Sequence, residues 1–307
     1  MRPLARLLGP AAFVTGLLVA CSGGGSGEDG LPTVTGEYGA KPAVRVEKGS
    51  KPSGKLASEV LSRGDGPKVR AGDLLVADYL GKNFRSRKVF DNSYDRGAPA
   101  AFPLKAGPGG VISGWVKSLS GVPVGSRVLL VAPPKDGYGK AGNAQAGIQA
   151  SDSLVFVVDL IASYRSGQAL PKSTPVEGLP AGLPKVEGEQ DPKVTVPEGA
   201  DPPTKPRTTV IATGNGPKVG PGRLGIVQYT AVSWDNKPLA STWQDGPQGV
   251  PVGGQQPSPF DLLVGLPVGS RVVLELPAQP GTDAATGSVA VVVDILGQHG
   301  PAKEKAT

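Results

Sequence analysis

Aromatic side chains make up only 5% of this 307-residue chain, yet Tyr79, Phe84, Phe90, Tyr94, Phe102, Trp115, Tyr138, Phe156 and Tyr164 crowd one stretch of it. Asp91 directly follows Phe90, and Arg96 stands five residues further on. The chain holds a single Cys, Cys21, and a single His, His299. That scarcity excludes disulfide frameworks, Cys/His zinc sites and any catalytic triad needing a His elsewhere. Chemistry in the aromatic stretch must therefore work without thiol, imidazole or a Cys/His zinc site. Density alone does not separate a site from an aromatic core; the order of the surrounding motifs does.

Those motifs are Val89-Phe90-Asp91-Asn92-Ser93, Asp95-Arg96, Phe102, Val111-Ile112-Ser113-Gly114-Trp115, Gly137-Tyr138-Gly139 and Leu154-Val155-Phe156. In order and spacing they resemble the FKBP family of peptidyl-prolyl cis-trans isomerases, over about residues 58 to 164. The resemblance implies an α+β fold: a half-barrel, a twisted antiparallel sheet wrapped around one short helix, with an apolar pocket between them. By position, Trp115 resembles the pocket floor and Tyr79, Phe90, Ile112 and Phe156 its walls. Asp91 is similar to the family's buried acid beside the Tyr79 hydroxyl. The Ile112 N–H and the Tyr138 hydroxyl resemble the donors that hold substrate carbonyls. Arg96, Phe102 and Val111 complete the substrate surface, and Ile148 resembles a loop contact above it. No cofactor is implied.

Such a site suits a reaction that makes and breaks no covalent bond. Rotation about a peptide C–N bond must disrupt amide resonance, a barrier of about 18–20 kcal/mol. Twisting shifts charge off the amide oxygen, so a dry cleft that favours the less polar twisted state binds the transition state better than the ground state. On this reading Asp91 and Arg96 orient and do not exchange protons. For Asp91 a purely structural carboxylate and a direct polarising role both remain open. The chain departs from the family at Ala100-Ala101, where an aromatic often precedes Phe102, and at Gln149-Ala150, where a Pro-Pro pair is common. Those departures bear on the pocket rim, and so on substrate preference and on binding of macrolides such as tacrolimus or rapamycin.

An internal repeat sets the organisation. Gly64-Asp65-Gly66-Pro67-Lys68-Val69 recurs as Gly214-Asn215-Gly216-Pro217-Lys218-Val219, and Pro123-Val124-Gly125-Ser126-Arg127-Val128 recurs as Pro267-Val268-Gly269-Ser270-Arg271-Val272. Short Val/Leu-rich runs at 74–80, 127–132 and 154–161, bounded by turn residues, predict strands. Ser113 to Leu119 predicts the one helix, with Trp115 and Leu119 on a shared face and Gly121 as its stop. The expected domains are a first module at 44–165, a Pro/Gly-rich linker at 166–190, a second FKBP-like half-barrel at 191–298, its helix less distinct, and a tail at 299–307. In the second copy Phe90 and Asp91 align with Leu239 and Ala240, Trp115 falls near Pro259, and Gly137-Tyr138-Gly139 has no counterpart. It keeps Tyr229 without the pocket; Trp234, Trp243 and Phe260 line either a different groove or pack under the sheet. The modules read as beads on a string.

Residues 1–20 predict an export signal: Arg2 and Arg6, then an apolar run from Leu7 to Ala20 that is too short to span a bilayer. Leu18-Val19-Ala20-Cys21 resembles a bacterial lipobox, which implies lipidation of Cys21 and a Gly/Ser-rich flexible tether over 21–43. Residues 33 to 166 carry a net charge of +8 and residues 191 to 300 a net charge of −2, so the basic character belongs to one module. Its Lys82, Arg85, Arg87 and Lys88 cluster suits anionic headgroups or is a solvated basic face. No nucleic-acid-binding motif is present. The expected location is the outer face of the cell membrane, held by the lipid anchor. Expected partners are proline-containing unfolded or exported polypeptides, with a non-catalytic envelope binding or chaperone lipoprotein as the alternative function.

Overall fold

The computed structural model describes residues 31–300. The expected signal, Cys21, the first part of the tether and residues 301–307 lie outside the described residues. What is described is mostly sheet with little helix. In the first module the strands are β1 (Thr33–Thr35), β2 (Ala43–Arg45), β3 (Ala57–Ser62), β4 (Leu74–Asn83), β5 (Val89–Asn92), β6 (Ala100–Pro103), β7 (Arg127–Ala132) and β8 (Leu154–Tyr164), with helix α1 (Ser113–Leu119) between β6 and β7. The second holds β9 (Thr174–Pro175), β10 (Lys185–Glu187), β11 (Lys193–Thr195), β12 (Arg207–Thr213), β13 (Arg223–Ser233), β14 (Pro238–Ser241), β15 (Gln248–Val252), β16 (Arg271–Leu276) and β17 (Val289–His299), with a one-turn helix α2 (Ala284–Gly287).

The first sheet runs β3-β7-β8-β4-β5, with β6 also on β4; the second runs β12-β16-β17-β13-β14, with β15 also on β13 and β9 added outside β12. All pairings are antiparallel, and even the irregularities repeat. Register shifts at Val60/Ser62, Val76/Ala77 and Gly81/Lys82 have counterparts at Val210/Ala212, Ile226/Val227 and Ala231/Val232. Bulges bend a strand and increase its twist, so the two sheets curve at the same places.

Helix α1 closes the concave face of the first sheet. Trp115 and Leu119, four residues apart, are both buried and pack with Leu75, Val128, Leu130, Phe156 and Val158. The helix ends where Gly121 takes a φ of 86° and its N–H reaches back to the Val69 carbonyl, at 2.8 Å. The second module has no matching α-helix: Pro259–Leu263 is a 3-10 turn with a Ser258/Asp261 capping box. The Pro at its start supplies a fixed φ but no N–H to extend a ladder.

Three expectations about boundaries are corrected. Residues 31–43, expected within a flexible tether, contribute β1 and the start of β2, a hairpin paired from Thr33↔Arg45 to Thr35↔Ala43. Val44 and Val46 pack with Leu80, Leu129, Val131, Val155 and Val157 on the outer face of the sheet. The physical reason is visible in β7, whose six residues are all buried: a strand apolar on both faces needs a second covering layer. Residues 166–190, expected as a linker, supply β9, which pairs with β12, and β10, which forms the equivalent hairpin with β11. That hairpin covers Val232, Trp234, Ala290 and Val292. Each hairpin is pinned by a buried ion pair in its sheet. The Arg127 guanidinium binds Asp159 and donates to the carbonyls of Gly36 and Ala40; Arg271 binds Asp294 and donates to those of Gly188 and Glu189.

The third correction concerns the beads on a string. Leu74, Val76, Ile161, Ala162 and Tyr164 of the first module share one apolar cluster with Leu224, Ile226 and Leu296 of the second. His299, expected in the tail, is the last residue of β17, and its Nε2 lies 2.8 Å from the Tyr164 hydroxyl. The modules are docked.

Candidate functional site

A cleft of about 470 Å³ opens between α1 and the concave face of the first sheet. Trp115 lies at its bottom, 3% exposed. Its ring meets Tyr79 at 5.6 Å, Phe102 at 5.1 Å and Phe156 at 5.5 Å, each edge-to-face, the geometry that aromatic quadrupoles favour. Tyr79 comes from the middle of β4, Phe90 and Asp91 from β5, Phe102 from β6 and Phe156 from β8, so strands far apart in sequence meet around one helical residue. Phe90 lies 5.7 Å from Phe156. Its ring occupies space above Gly81, where an added Cβ would fall 2.6 Å from it. Only glycine admits the ring there.

The polar groups form a closed set at one wall. The Tyr79 hydroxyl donates to the Asp91 carboxylate, which also accepts from Arg96. Arg96 Nη2 donates to the Tyr79 oxygen at 2.8 Å, and its guanidinium sits 5.4 Å from the Tyr79 ring centre. Burial, with Asp91 as acceptor adding to it, pushes the Tyr79 hydroxyl up to about 12 against the opposing pull of Arg96. Tyr79 therefore stays a neutral donor at physiological pH. Arg96 reaches the cleft only through Tyr79 and Asp91.

Val111, Ile112 and Tyr138 line the mouth. Ile112 is the N-cap residue of α1, with extended backbone, a position whose N–H the helical ladder leaves unused. Tyr138 follows the 3-10 turn Pro134–Asp136 and is 38% exposed. That turn is tied to α1 by Asp136, which accepts from Lys117 Nζ at 2.5 Å and Ser113 Oγ at 3.2 Å. The expected loop contact Ile148, 4% exposed, packs into the same core cluster as Tyr79, Trp115 and Phe156 without lining the cleft. The reason is local: reciprocal 2.9 Å backbone bonds between Asn143 and Ile148 close that loop into a narrow bridge.

Sequence reasoning missed Ala106, Gly107, Gly110, Ser113 and Gly137, which also line the cleft. The signal was the run Gly107-Pro108-Gly109-Gly110. Gly107 and Gly109 take φ values of 101° and 70°, and a Cβ on Gly110 would fall 1.9 Å from the Lys105 carbonyl oxygen. A side chain there would unmake the turn that presents Val111 and Ile112. Among the described residues no three His, Cys, Asp or Glu side chains are grouped to hold a metal ion.

The second module uses the same positions differently. Register pairs Ala240 with Ala231 as it pairs Asp91 with Gly81, and Leu239, preceding Ala240, is 53% exposed. With no ring folded inward, the glycine is replaced by alanine. The ring against Tyr229 is Phe260, at 5.8 Å, one residue beyond the Pro259 expected near Trp115's place. Trp234 and Trp243 are each 6% exposed. Trp234 donates to the Ala200 carbonyl at 2.8 Å and packs on the outer layer.

Residues 66–161 match the family described as FKBP-type peptidyl-prolyl cis-trans isomerase. The chain is 39% identical over 122 residues to an FK506-binding protein of Streptomyces anulatus, covering 40% of this chain and 96% of that one. It is 33% identical over 123 residues to a probable FK506-binding protein of Corynebacterium glutamicum, covering 40% and 98%. It is 40% identical over 116 residues to the FKBP-type isomerase FkpA of Escherichia coli K12, where the match spans 38% of this chain and 40% of that protein. With that cleft and those relatives, the chain belongs to the FKBP-type peptidyl-prolyl cis-trans isomerases.

Proposed function

We propose that the cleft of the first module is the isomerase site and that the protein works on proline-containing segments of exported polypeptides while tethered to the membrane through lipidated Cys21. The observation that carries the site is the aromatic floor: Trp115, nearly inaccessible, meets three aromatic neighbours edge-to-face. A proline ring set on that surface leaves water, and the X–Pro amide enters a medium that favours its less polar twisted form. The Ile112 N–H and the Tyr138 hydroxyl hold flanking carbonyls and fix the segment while the bond rotates. Asp91 is an orienting group: both its oxygens are engaged, by Tyr79 and Arg96, so it fixes the wall. The small residue Ala100, on the Phe102 face of its strand and packed beside the cleft-side core, leaves the rim open to bulky residues beside proline, and the same surface offers macrolides such as tacrolimus or rapamycin a place to bind.

The second module is read as a duplicated half-barrel that has lost the site. The matching strand order and shared bulges support this, as do Leu239, Ala240 and Phe260 where the first copy has Phe90, Asp91 and Trp115. The test is isomerisation of a model X–Pro peptide by the full chain, followed by a protease-coupled assay or NMR exchange. Catalysis that a macrolide inhibits supports the reading. Binding of proline peptides without acceleration would instead make the protein a non-catalytic binding lipoprotein. Anchoring is tested separately with Cys21→Ser, which should abolish fatty-acid labelling and move the protein out of the lipid fraction; unchanged labelling would refute it.

A further inference from the structure

The modules dock through equivalent strands. Register sets Val76 beside Ala101 on one side and Ala162 on the other; it sets Ile226 beside Gly249 and Gly297. Two positions along, Leu74 faces Tyr164 and Leu224 faces His299. The contacts across the junction therefore join like to like: Leu74 and Val76 share a cluster with Leu224 and Ile226, and Tyr164 bonds His299. This is the self-complementary pattern of a two-fold dimer, built inside one chain.

At one point in this junction the backbones come very close. A Cβ placed on Gly249 would fall 2.5 Å from the Ala101 Cβ and 3.2 Å from Leu224 Cδ1. The Leu224 methyl can swing away. The Ala101 Cβ cannot, because alanine has no rotamer, so any side chain at 249 forces β15 and β6 apart. Strand β6 is held on one edge only, by β4, and its successive side chains point to opposite faces. Ala101 joins the intermodule cluster, whereas Phe102 lines the cleft, with its ring 5.3 Å from Tyr79 and 5.1 Å from Trp115.

We propose that Gly249 and Ala101 are positioning residues for isomerisation: the second module presses β15 against the back of β6 and so sets where Phe102 stands in the cleft. The inference rests on the cleft being the isomerase site. It gives the second module a task that needs its docking face and no pocket of its own.

The experiment uses the full chain in three forms: wild type, Gly249→Ala, and the swap Ala101→Gly/Gly249→Ala, which returns a single methyl to the junction. Each is measured for KM and kcat on an X–Pro peptide, for Tm, and for the NMR shift of the Trp115 indole N–H, identified with Trp115→Phe. Gly249→Ala should raise KM by about two- to tenfold with kcat little changed and should move the indole resonance. The swap should bring both back toward wild type, the non-additivity expected of residues in contact. A brace that only stabilises would lower Tm in Gly249→Ala and leave KM and the indole shift unmoved; that result overturns the proposal. So does a swap that recovers Tm but not KM. If wild type shows no isomerase activity, the reading of the cleft fails, and the indole shift still decides the brace: moved by Gly249→Ala and restored by the swap supports it, unmoved overturns it.

Discussion

Arg127 with Asp159 and Arg271 with Asp294 occupy matching places in the two sheets, and each pair holds down the covering hairpin of its module. The glycine turns beside them match as well: Gly64 and Gly214 press against Gly125 and Gly269 so closely that a Cβ on either would fall about 2.5 Å from backbone. The difference lies on the concave faces. In the first module Gly81 admits the Phe90 ring, Asp91 anchors Tyr79, and Trp115 rises from a true helical turn. In the second, Ala231, Leu239 and Ala240 take those places, and Phe260 on a 3-10 turn meets Tyr229. The scaffold depends on strand register, buried ion pairs and tight turns, which tolerate many side chains elsewhere. The site depends on a handful of rings meeting at one point, so a few substitutions remove it without disturbing the fold.

The largest expected effect tests whether activity belongs to one module. Trp115→Ala in the full chain should leave less than about a tenth of wild-type kcat/KM, and truncating a buried Trp should also cost about 3–5 kcal/mol of stability. Rate and urea unfolding are therefore measured together. More than half the activity remaining in a folded variant would assign catalysis to the second module and break the comparison.

The ion pairs sharpen it next. Removing one partner of a buried pair strands the other charge, at a cost of about 3–5 kcal/mol. Arg127→Ala should be the more damaging of the two. Arg127 is 2% exposed at the side chain against 11% for Arg271, and it also reaches the Tyr94 hydroxyl. A larger loss of urea resistance for Arg271→Ala would show that the second hairpin, not the first, carries the stability.

A smaller effect probes the cleft's mouth. Tyr138→Phe deletes one exposed hydroxyl and keeps the ring, so kcat/KM should fall by about two- to tenfold, the 0.5–1.5 kcal/mol of one neutral hydrogen bond, with Tm unchanged. An unaltered rate would remove Tyr138 from the mechanism.

The smallest effect is a pH dependence that separates site from junction. The rate should be flat from about pH 6 to 9, since the Tyr79 hydroxyl titrates only near 12; a steep bell would mean that a carboxylate such as Asp91 exchanges protons during turnover. At the junction, burial holds the His299 imidazole below its ordinary range. As pH falls, the unfolded chain takes up that proton first. The contribution of His299 to stability is thus full above about pH 6.5 and declines as pH drops from there toward the folded value. His299→Gln should flatten that decline in Tm, and a variant as acid-sensitive as wild type would place the titration elsewhere.

Much of this was legible in the residues. Alternating and continuous apolar runs located the main strands, the i, i+4 spacing of Trp115 and Leu119 located α1, and the recurrence of Gly64 to Val69 at Gly214 to Val219 falls at matching places in two sheets of like strand order. The resemblance carried by the motifs from Val89 to Phe156 implied Tyr79, Phe90, Asp91, Phe102, Trp115 and Tyr138, which the fold does bring to one cleft. Ile148 joins the core beside Tyr79, Trp115 and Phe156 without lining the cleft, since whether a short loop's side chain turns inward is not written in its neighbours. Apolar runs in β7 and β8 already required cover on both faces, yet they did not say which segment supplies it.

What the sequence by itself determined is local: periodicity, turn chemistry and motif order are written in neighbouring residues and act over a few positions. Tertiary structure alone decided that residues 33–45 and 185–195 fold back as covering hairpins, that Asp136 ties α1 to the Tyr138 turn, and that two modules read as separate are pressed together at Ala101 and Gly249. Those outcomes depend on which face or charge finds which partner well beyond its neighbours in the chain, 19 residues apart for Lys117 and Asp136 and much further for Ala101 and Gly249. Ala101 and Gly249 show why the pattern is silent about them: a small residue in a strand reads as indifferent until another backbone lies against it.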